Sequence, residues 1–414
     1  MTGEPAYGRS VSVIIPAWNG CRYLPTCLDA LLAQSYPDLE IIVVDNASVD
    51  GSADLVVNRY PQVRVVRNRE NAGFAGGCNA GMQVALAQIL VFLNQDTSVR
   101  PGWLEALVEA VLPPQVGVVG CKILYPDGKT IQHAGGWVEW PLGLAHHYGH
   151  GEQDVGQWDE SRHVAYVTGA AMAIRREVAE RLGGLDQGFW PGYYEDVDLC
   201  FAATEAGYDI IYAPEALLVH SETTSVSDWR AISRASQRSR LRFVLKHLAP
   251  DRFLAEFVPA EHAYQQATAE ELDRGSLSSA YVEAMSVAGA VLARRWRARE
   301  ETVNQVLSSL LQLYLDSCSG SARPSLREYH FRSSLPVVGQ LVAGLRRLWY
   351  GVAARWAVRD LIQQQEALNQ SQQAINEQLV RSMACLSREL ARLELRLGSE
   401  STGVGSGDTG SKRQ

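Results

Sequence analysis

Short apolar runs alternate along the first half of the chain with stretches in which apolar residues recur every three or four positions. VSVIIPA (11–17), EIIVVDNAS (40–48), VRVVRN (63–68) and ILVFLNQD (89–96) are runs of the first kind, and CLDALLAQ (27–34) has helical spacing. Runs that are apolar on both faces read as strands of a mainly parallel sheet covered by helices on both sides, which is the α/β class. Ligand sites in such sheets lie beyond the carboxyl ends of the strands. Those ends carry Asn19, Asp45, Asn68 and Asp96, a polar set with a geometric reason to converge.

The pattern changes near residue 230. WRAISRASQRSRLRFVLKHL is helical and basic, through Arg230, Arg234, Arg238, Arg240, Arg242 and Lys246. Residues 251–316 read as Ala-rich helix, 317–325 as a linker, and 335–397 as helix again. The Gly/Ser tail 399–414 lacks core-forming residues and is expected to be disordered. These shifts divide the chain into a flexible N-terminus (1–9), an α/β domain (10–250), a helical extension and linker (251–322), a helical tail (323–398) and the disordered end. Within the tail, Leu379, Met383, Leu386, Leu390, Leu393 and Leu397 recur in alternating steps of four and three, an a/d seam over three heptads with Asn376 one a position upstream. A coiled coil that makes the protein a homo-oligomer follows from that spacing.

At 414 residues the chain is long enough for more than one structural unit. Its net charge of −8 opposes general nucleic-acid binding, which needs a dense basic surface. The seven cysteines include no C-x-x-C pair and are odd in number, which argues for reduced thiols rather than a disulfide framework or a zinc site. The first ten residues contain no apolar signal core, and LPVVGQLVAGLRRLWYGVAARW (335–356) is interrupted by Arg346 and Arg347. A cytoplasmic protein is expected. The basic 230–246 helix and the 335–356 segment suggest peripheral contact with the inner membrane face.

Several residues could carry chemistry. Asp45, at a strand end, could accept from a nucleobase N–H or a ribose hydroxyl, though Asp also caps helices and closes turns. LNQDT (93–97) places Asn94 and Asp96 two apart, so a turn could aim both at one hard cation. YYEDVDLC (193–200) crowds Glu195, Asp196 and Asp198. Crowding raises at least one carboxyl pKa, as a general base requires, while acids also favour a helix's first turn. His220 ends another apolar run and would suit a cation among oxygen ligands, or a structural hydrogen bond. NAGFAGGCNAG (71–81) is Gly-rich without the G-x-G-x-x-G order, so a dehydrogenase has little support.

Taken in order, VSVIIPAWNG, IIVVDNASVDGS, ENAGFAGGCNAGM, VFLNQDT, VTGAAMAIRREV, GFWPGYYEDVDLCFAATEAGY and APEALLVHSETTS resemble glycosyltransferase family 2, in its rhamnosyltransferase-like branch. The resemblance spans roughly residues 10–245. It implies a GT-A fold, a nucleotide-sugar donor, a glycan or lipid-linked acceptor, a divalent cation (Mg or Mn) and inversion at the anomeric carbon. It places Pro16, Asn19 and Asp45 on the nucleoside, with Asn71 and Gly73 beside the base or ribose. The family's D-x-D element falls on Asn94–Gln95–Asp96, so Asp96 becomes the metal-binding carboxylate and Asn94 stands where the first Asp would be. His220 falls on a second metal ligand found in some members. Asp196 falls on the catalytic base, with Glu195 the runner-up. Thr168, Gly169, Trp190 and Tyr194 would face the acceptor.

Two other classes compete. A sugar-phosphate nucleotidyltransferase needs a Gly-rich loop after the first strand, where this chain has Pro16-Ala17-Trp18-Asn19-Gly20. A non-catalytic nucleotide-sugar-binding scaffold would have no need of Asp45, Asp96 and Asp196 together.

Overall fold

The computed structural model describes residues 10–221, 229–267 and 274–319. Among the described residues twelve strands are formed: β1 (Val11–Ala17), β2 (Leu39–Asp45), β3 (Arg64–Arg67), β4 (Ile89–Leu93), β5 (Thr97–Val99), β6 (Val116–Leu124), β7 (Ile131–His133), β8 (Gly136–Glu139), β9 (Leu144–His147), β10 (Arg162–His163), β11 (Ala171–Arg175) and β12 (Asp209–His220). The helices are α1 (Leu24–Leu32), α2 (Ser52–Arg59), α3 (Gly73–Val84), α4 (Trp103–Val111), α5 (Arg176–Leu182), α6 (Glu195–Glu205), α7 (Trp229–His247), α8 (Pro250–Arg252), α9 (Val258–Ala267), α10 (Arg274–Trp296) and α11 (Glu300–Ser319).

Ten strands make one sheet in the order β10-β12-β6-β11-β4-β1-β2-β3, with β5 on β12 and β7 on β6, while β8 and β9 form a separate ribbon. β3, β2, β1 and β4 are parallel neighbours, and β6 and β12 are parallel to each other. β11 runs antiparallel between β4 and β6. The expected α/β class with a largely parallel sheet is what is observed, and the antiparallel insertion of β11 adds the component that apolar pattern alone did not contain. β1 shows why its sequence lacks alternation. Val11, Val13, Ile15 and Ala17 enter one core with Leu24, Leu28 and Leu31, while Ile14 enters the other with Cys78 and Val178. Both faces are buried, so no position calls for a polar residue except Ser12, whose hydroxyl donates to Glu40 at 2.5 Å.

The Gly-rich segment is a helix rather than a loop over a nucleotide. A Cβ at Gly81 would collide with Ile14, and one at Gly77 would lie 2.7 Å from the Pro16 side chain and 2.9 Å from that of Asn46. The glycines let α3 settle directly on β1 and β2, which brings its N-terminus to the strand ends. Only Gly73, at φ +70°, belongs to the turn that opens the helix.

Two compact units divide the chain: Met1–Ala263 with Gly275–Ala280, and Tyr264–Arg274 with the residues from Tyr281 onward. In the second, the amide of Gln265 bonds the Tyr281 hydroxyl at 2.5 Å. Among the described residues Ser276–Trp296 is long and apolar enough to cross a membrane, but 56% of its most apolar window is buried, as in a core helix. The heptad seam and the 335–356 segment lie outside the described residues.

In the first unit, the basic helix α7 is held by acids. Arg240 pairs with Glu261 through two bonds of 2.8 and 2.6 Å, and donates to the Leu142 carbonyl at 2.8 Å. Arg242 and Lys246 reach Asp186, and Lys246 and His247 reach Asp198, each at 2.7–2.8 Å. Three of the cations that suggested a membrane face thus have internal partners. The Arg240–Glu261 side chains are 1% and 0% exposed. Removing one member of such a pair strands a buried charge, at a cost of about 3–5 kcal/mol, whereas replacing both by apolar residues is often neutral. Glu261→Ala is therefore expected to lower unfolding stability in urea by about 3 kcal/mol, and Arg240→Met/Glu261→Leu to recover most of it. A double variant no more stable than Glu261→Ala would count against this account.

Candidate active site

The carboxyl ends of β1, β2 and β4 lie side by side, because these strands are adjacent and parallel. Asp45 closes β2 there. It is 5% exposed, and its Oδ1 is buried with no hydrogen-bond partner. A buried acceptor left open at a strand end is what a nucleobase N–H or ribose hydroxyl would complete. Asn46 next to it donates to the Gly73 carbonyl at 3.1 Å and accepts from Asn68 at 2.8 Å, tying β2 to the start of α3. Asn71 caps the same turn by accepting from Gly73 N–H at 2.9 Å, and its carbonyl takes the Trp190 indole N–H at 3.1 Å. Asn19, at φ +50°, closes the loop after β1: its Oδ1 accepts from Val49 N–H at 3.0 Å. Pro16 packs within β1 against Gly77. Of the residues expected around the nucleoside, Asp45, Asn71 and Gly73 border the strand-end cleft, whereas Pro16 and Asn19 are taken up in shaping it.

Beyond β4, the Asn94–Asp96 turn is clamped from two sides. Gln95 exchanges hydrogen bonds with the Trp18 backbone at 3.1 Å each way, and Asn94 N–H donates to the Ala170 carbonyl at 2.9 Å. Asp96 then meets His220, at the end of β12, with Oδ1 3.1 Å from Nε2. His220 Nδ1 lies 2.8 Å from the Gln132 carbonyl oxygen, which can only accept. Nδ1 therefore donates to the Gln132 side-chain amide oxygen, and Nε2 faces Asp96. The imidazole and the carboxylate meet beyond the end of β4, where both could serve one cation as ligands. The Asn94 amide nitrogen Nδ2 lies 3.3 Å from the same Nε2, and its amide oxygen is the atom that could join a cation. The donor set of one carboxylate, one imidazole and one amide fits a divalent ion that keeps positions for phosphate oxygens and water. Among the described residues no cluster of three or more His, Cys, Asp or Glu forms a closed metal site.

Across the cleft the three acids of α6 have separate fates. Tyr193 and Tyr194 both adopt positive φ, +73° and +70°, just before the helix starts. Such consecutive left-handed residues are costly outside glycine and are concentrated at functional sites. The Tyr194 hydroxyl secures the turn, donating to the Gly143 carbonyl at 2.9 Å and accepting from Ala145 N–H at 3.2 Å. Its side chain is thus an anchor in the core, while Trp190 and Tyr193 are 51% and 40% exposed. Asp198 faces away, to Lys246 and His247. Glu195 is buried, with Oε2 unpartnered, and burial followed by the Asp196 charge pushes its carboxyl far above the usual range. Asp196 is half-buried and accepts from Gly169 and Val197 N–H groups at 2.8 Å each, with a further bond to the Thr168 side chain. Burial raises its pKa, and these donors offset part of the rise. It is the one reachable carboxylate of the three.

Sequence reasoning missed Gln95, Gln132 and His133, the last of which accepts the Thr168 N–H at 3.3 Å. The run IQH at 131–133 is too short to read as a strand, and nothing in its spacing ties it to His220 or Thr168.

The family model for Glycosyl transferase family 2 matches residues 12–183. The chain is 34% identical to the O-antigen biosynthesis protein RfbC of Myxococcus xanthus, over 52% of this chain and 17% of that protein. It is 31% identical to the pre-mycofactocin glycosyltransferase of Mycobacterium tuberculosis, over 54% of this chain and 45% of the relative. It is 26% identical to the N-acetylglucosaminyl-diphospho-decaprenol L-rhamnosyltransferase of the same organism, over 51% and 76%. The chain thus spans less than half the length of the first two.

Proposed function

We propose that the chain, whose residues 12–183 match the family model for Glycosyl transferase family 2, is an inverting glycosyltransferase that moves a sugar from a nucleoside-diphosphate donor to a glycan or lipid-linked acceptor in surface polysaccharide synthesis. Rhamnose is the first sugar to test, given the similarity to an L-rhamnosyltransferase.

One observation carries the reading. The three-residue segment Thr168–Ala170 ties the candidate base to the candidate cation turn. Its Gly169 N–H binds the Asp196 carboxylate, and its Ala170 carbonyl binds the backbone of the Asn94–Asp96 turn. If Asp196 is the base and the Asn94–Asp96 turn holds the cation, this segment would keep the two at a fixed separation, which an in-line displacement requires. Asp45 would hold the nucleoside through its open carboxylate oxygen. Asp96, His220 and Asn94 would hold a divalent cation, which offsets the charge that grows on the leaving β-phosphate. Asp196 would take the proton of the acceptor hydroxyl as that oxygen attacks the anomeric carbon from the face opposite the nucleotide. Trp190 and Tyr193, exposed beside the cleft, would offer aromatic faces to the acceptor.

The test is a panel of dTDP-, UDP- and GDP-sugars, scored first by thermal shift with Mn²⁺ and then by release of the nucleoside diphosphate. A donor that raises Tm and is turned over is expected. Binding without turnover on any acceptor would point to a scaffold, and no binding by any member would overturn the reading.

A further inference from the structure

His133 ends the edge strand β7, is 1% exposed, and lies next to Gln132, the partner of His220. Successive residues on a strand point to opposite sides, so β7 sends one side chain toward the cation site and the next toward the base. A backbone N–H can only donate. The Thr168 N–H at 3.3 Å therefore requires a lone pair on His133 Nε2, and the ring proton must sit on Nδ1. His133 Nδ1 in turn lies 2.6 Å from His147 Nδ1, which must accept that proton and carry its own on Nε2. One backbone contact thus sets the tautomer of both rings. Burial, with His147 and His150 nearby, holds His133 far below the usual histidine range. Burial, with His150 and His146, holds His147 down at about 4. Both are neutral at physiological pH, as the contact requires.

We propose that His133 is a positioning residue for the general base: by accepting the Thr168 N–H it fixes the Thr168–Gly169 turn, and the turn orients Asp196. The chain of contacts is continuous. His133 binds Thr168 N–H, and the Thr168 hydroxyl and Gly169 N–H both bind Asp196. The turn has little slack, because a Cβ at Gly169 would sit 2.8 Å from the Phe74 ring and 3.5 Å from the Asp196 Cβ. If the histidine is lost, the Thr168 N–H is left buried and unmatched, and the turn can relax by the fraction of an ångström to which proton transfer is sensitive.

The inference rests on the glycosyltransferase reading, and its test separates the two. Turnover of the full chain is measured with whichever dTDP-, UDP- or GDP-sugar the panel identifies; a wild type that turns over none fails that reading, not this one. With wild-type turnover in hand, His133→Gln and His133→Asn are compared. A glutamine amide reaches about as far as Nε2 and can keep the Thr168 bond, while an asparagine amide reaches only the His147 side. His133→Asn is expected to lower kcat about tenfold with donor KM within twofold, and His133→Gln to stay within about threefold of wild type. Donor affinity by calorimetry should be the same in both. Equal kcat in the two variants, or parallel losses in kcat and donor affinity, would make His133 an ordinary buried histidine and overturn the proposal.

Discussion

Asp196→Asn is expected to reduce sugar transfer by about a thousandfold, the scale that a positioned general base contributes, while donor affinity stays within a few-fold of wild type. Asparagine keeps the size of the side chain and one oxygen to accept from Gly169 or Val197 N–H, so the turn survives, but it cannot take a proton. Glu195→Gln separates the two carboxyls. Glu195 is buried and its carboxyl is held toward the neutral form, so its amide should retain most of the activity. The sign of the pH dependence follows from Asp196. Its carboxyl titrates above the usual range because burial penalises the charge. kcat/KM should therefore fall as pH drops through a value higher than that of an exposed aspartate. The same raised pKa means that ionised Asp196 opposes folding at neutral pH, since the unfolded chain gives up that proton more easily. The Tm of Asp196→Asn relative to wild type should thus be higher at pH 7 than at pH 4. Near-normal turnover in Asp196→Asn, or a large loss in Glu195→Gln at unchanged Tm, would reassign the base.

Asp96→Ala is expected to abolish the metal dependence of donor binding. Wild type should bind a nucleoside diphosphate roughly a hundredfold more tightly with Mn²⁺ than with EDTA, a difference of about 3 kcal/mol, and Asp96→Ala should bind equally weakly in both. Among the described residues Asp96 brings a carboxylate to the His220 and Asn94 group, and its loss removes the charged ligand that a divalent ion needs. Gln132→Leu provides a graded control. It leaves both ligands in place but frees the His220 ring to change tautomer, so metal affinity should fall by about 10–100-fold, the usual effect of removing a second partner from a ligating histidine. Calorimetry with Mn²⁺ and inorganic pyrophosphate reads this without turnover. Donor binding and rate that are both indifferent to EDTA would remove the cation from the mechanism.

The α/β class was readable in the chain because burial on both faces of a parallel strand leaves a physical mark: an unbroken apolar run. β1 coincides with VSVIIPA, and β2 and β4 begin within a residue of their predicted starts. β11 was not readable as antiparallel, since AMAIR is as apolar as its parallel neighbours and strand direction leaves no trace in composition. The role of the Gly-rich segment was not readable for a related reason. Glycine marks a close approach of backbone to something, and here that something is Ile14 and Val44 of the sheet rather than a ligand.

The candidate residues separate in the same way. Asp45, Asp96 and Asp196 could be singled out from the sequence because each acid stands where an apolar run stops or a helix begins, and polar groups in those places need a reason. Their division of labour could not. Glu195, Asp196 and Asp198 are chemically near-equivalent in the chain. Only the packing of α6 sends the first into an apolar core, the third to Lys246 and His247, and the second to the Gly169 turn. His220 needed Gln132 and Asp96, which are 88 and 124 residues away, to gain a defined tautomer and a partner. Local sequence determines which groups can do chemistry and where the chain turns, because strand and helix periodicity are short-range. Tertiary structure alone decides which of those groups is dry, which is paired and which is left open, because solvation and charge pairing depend on neighbours that lie far apart in the chain.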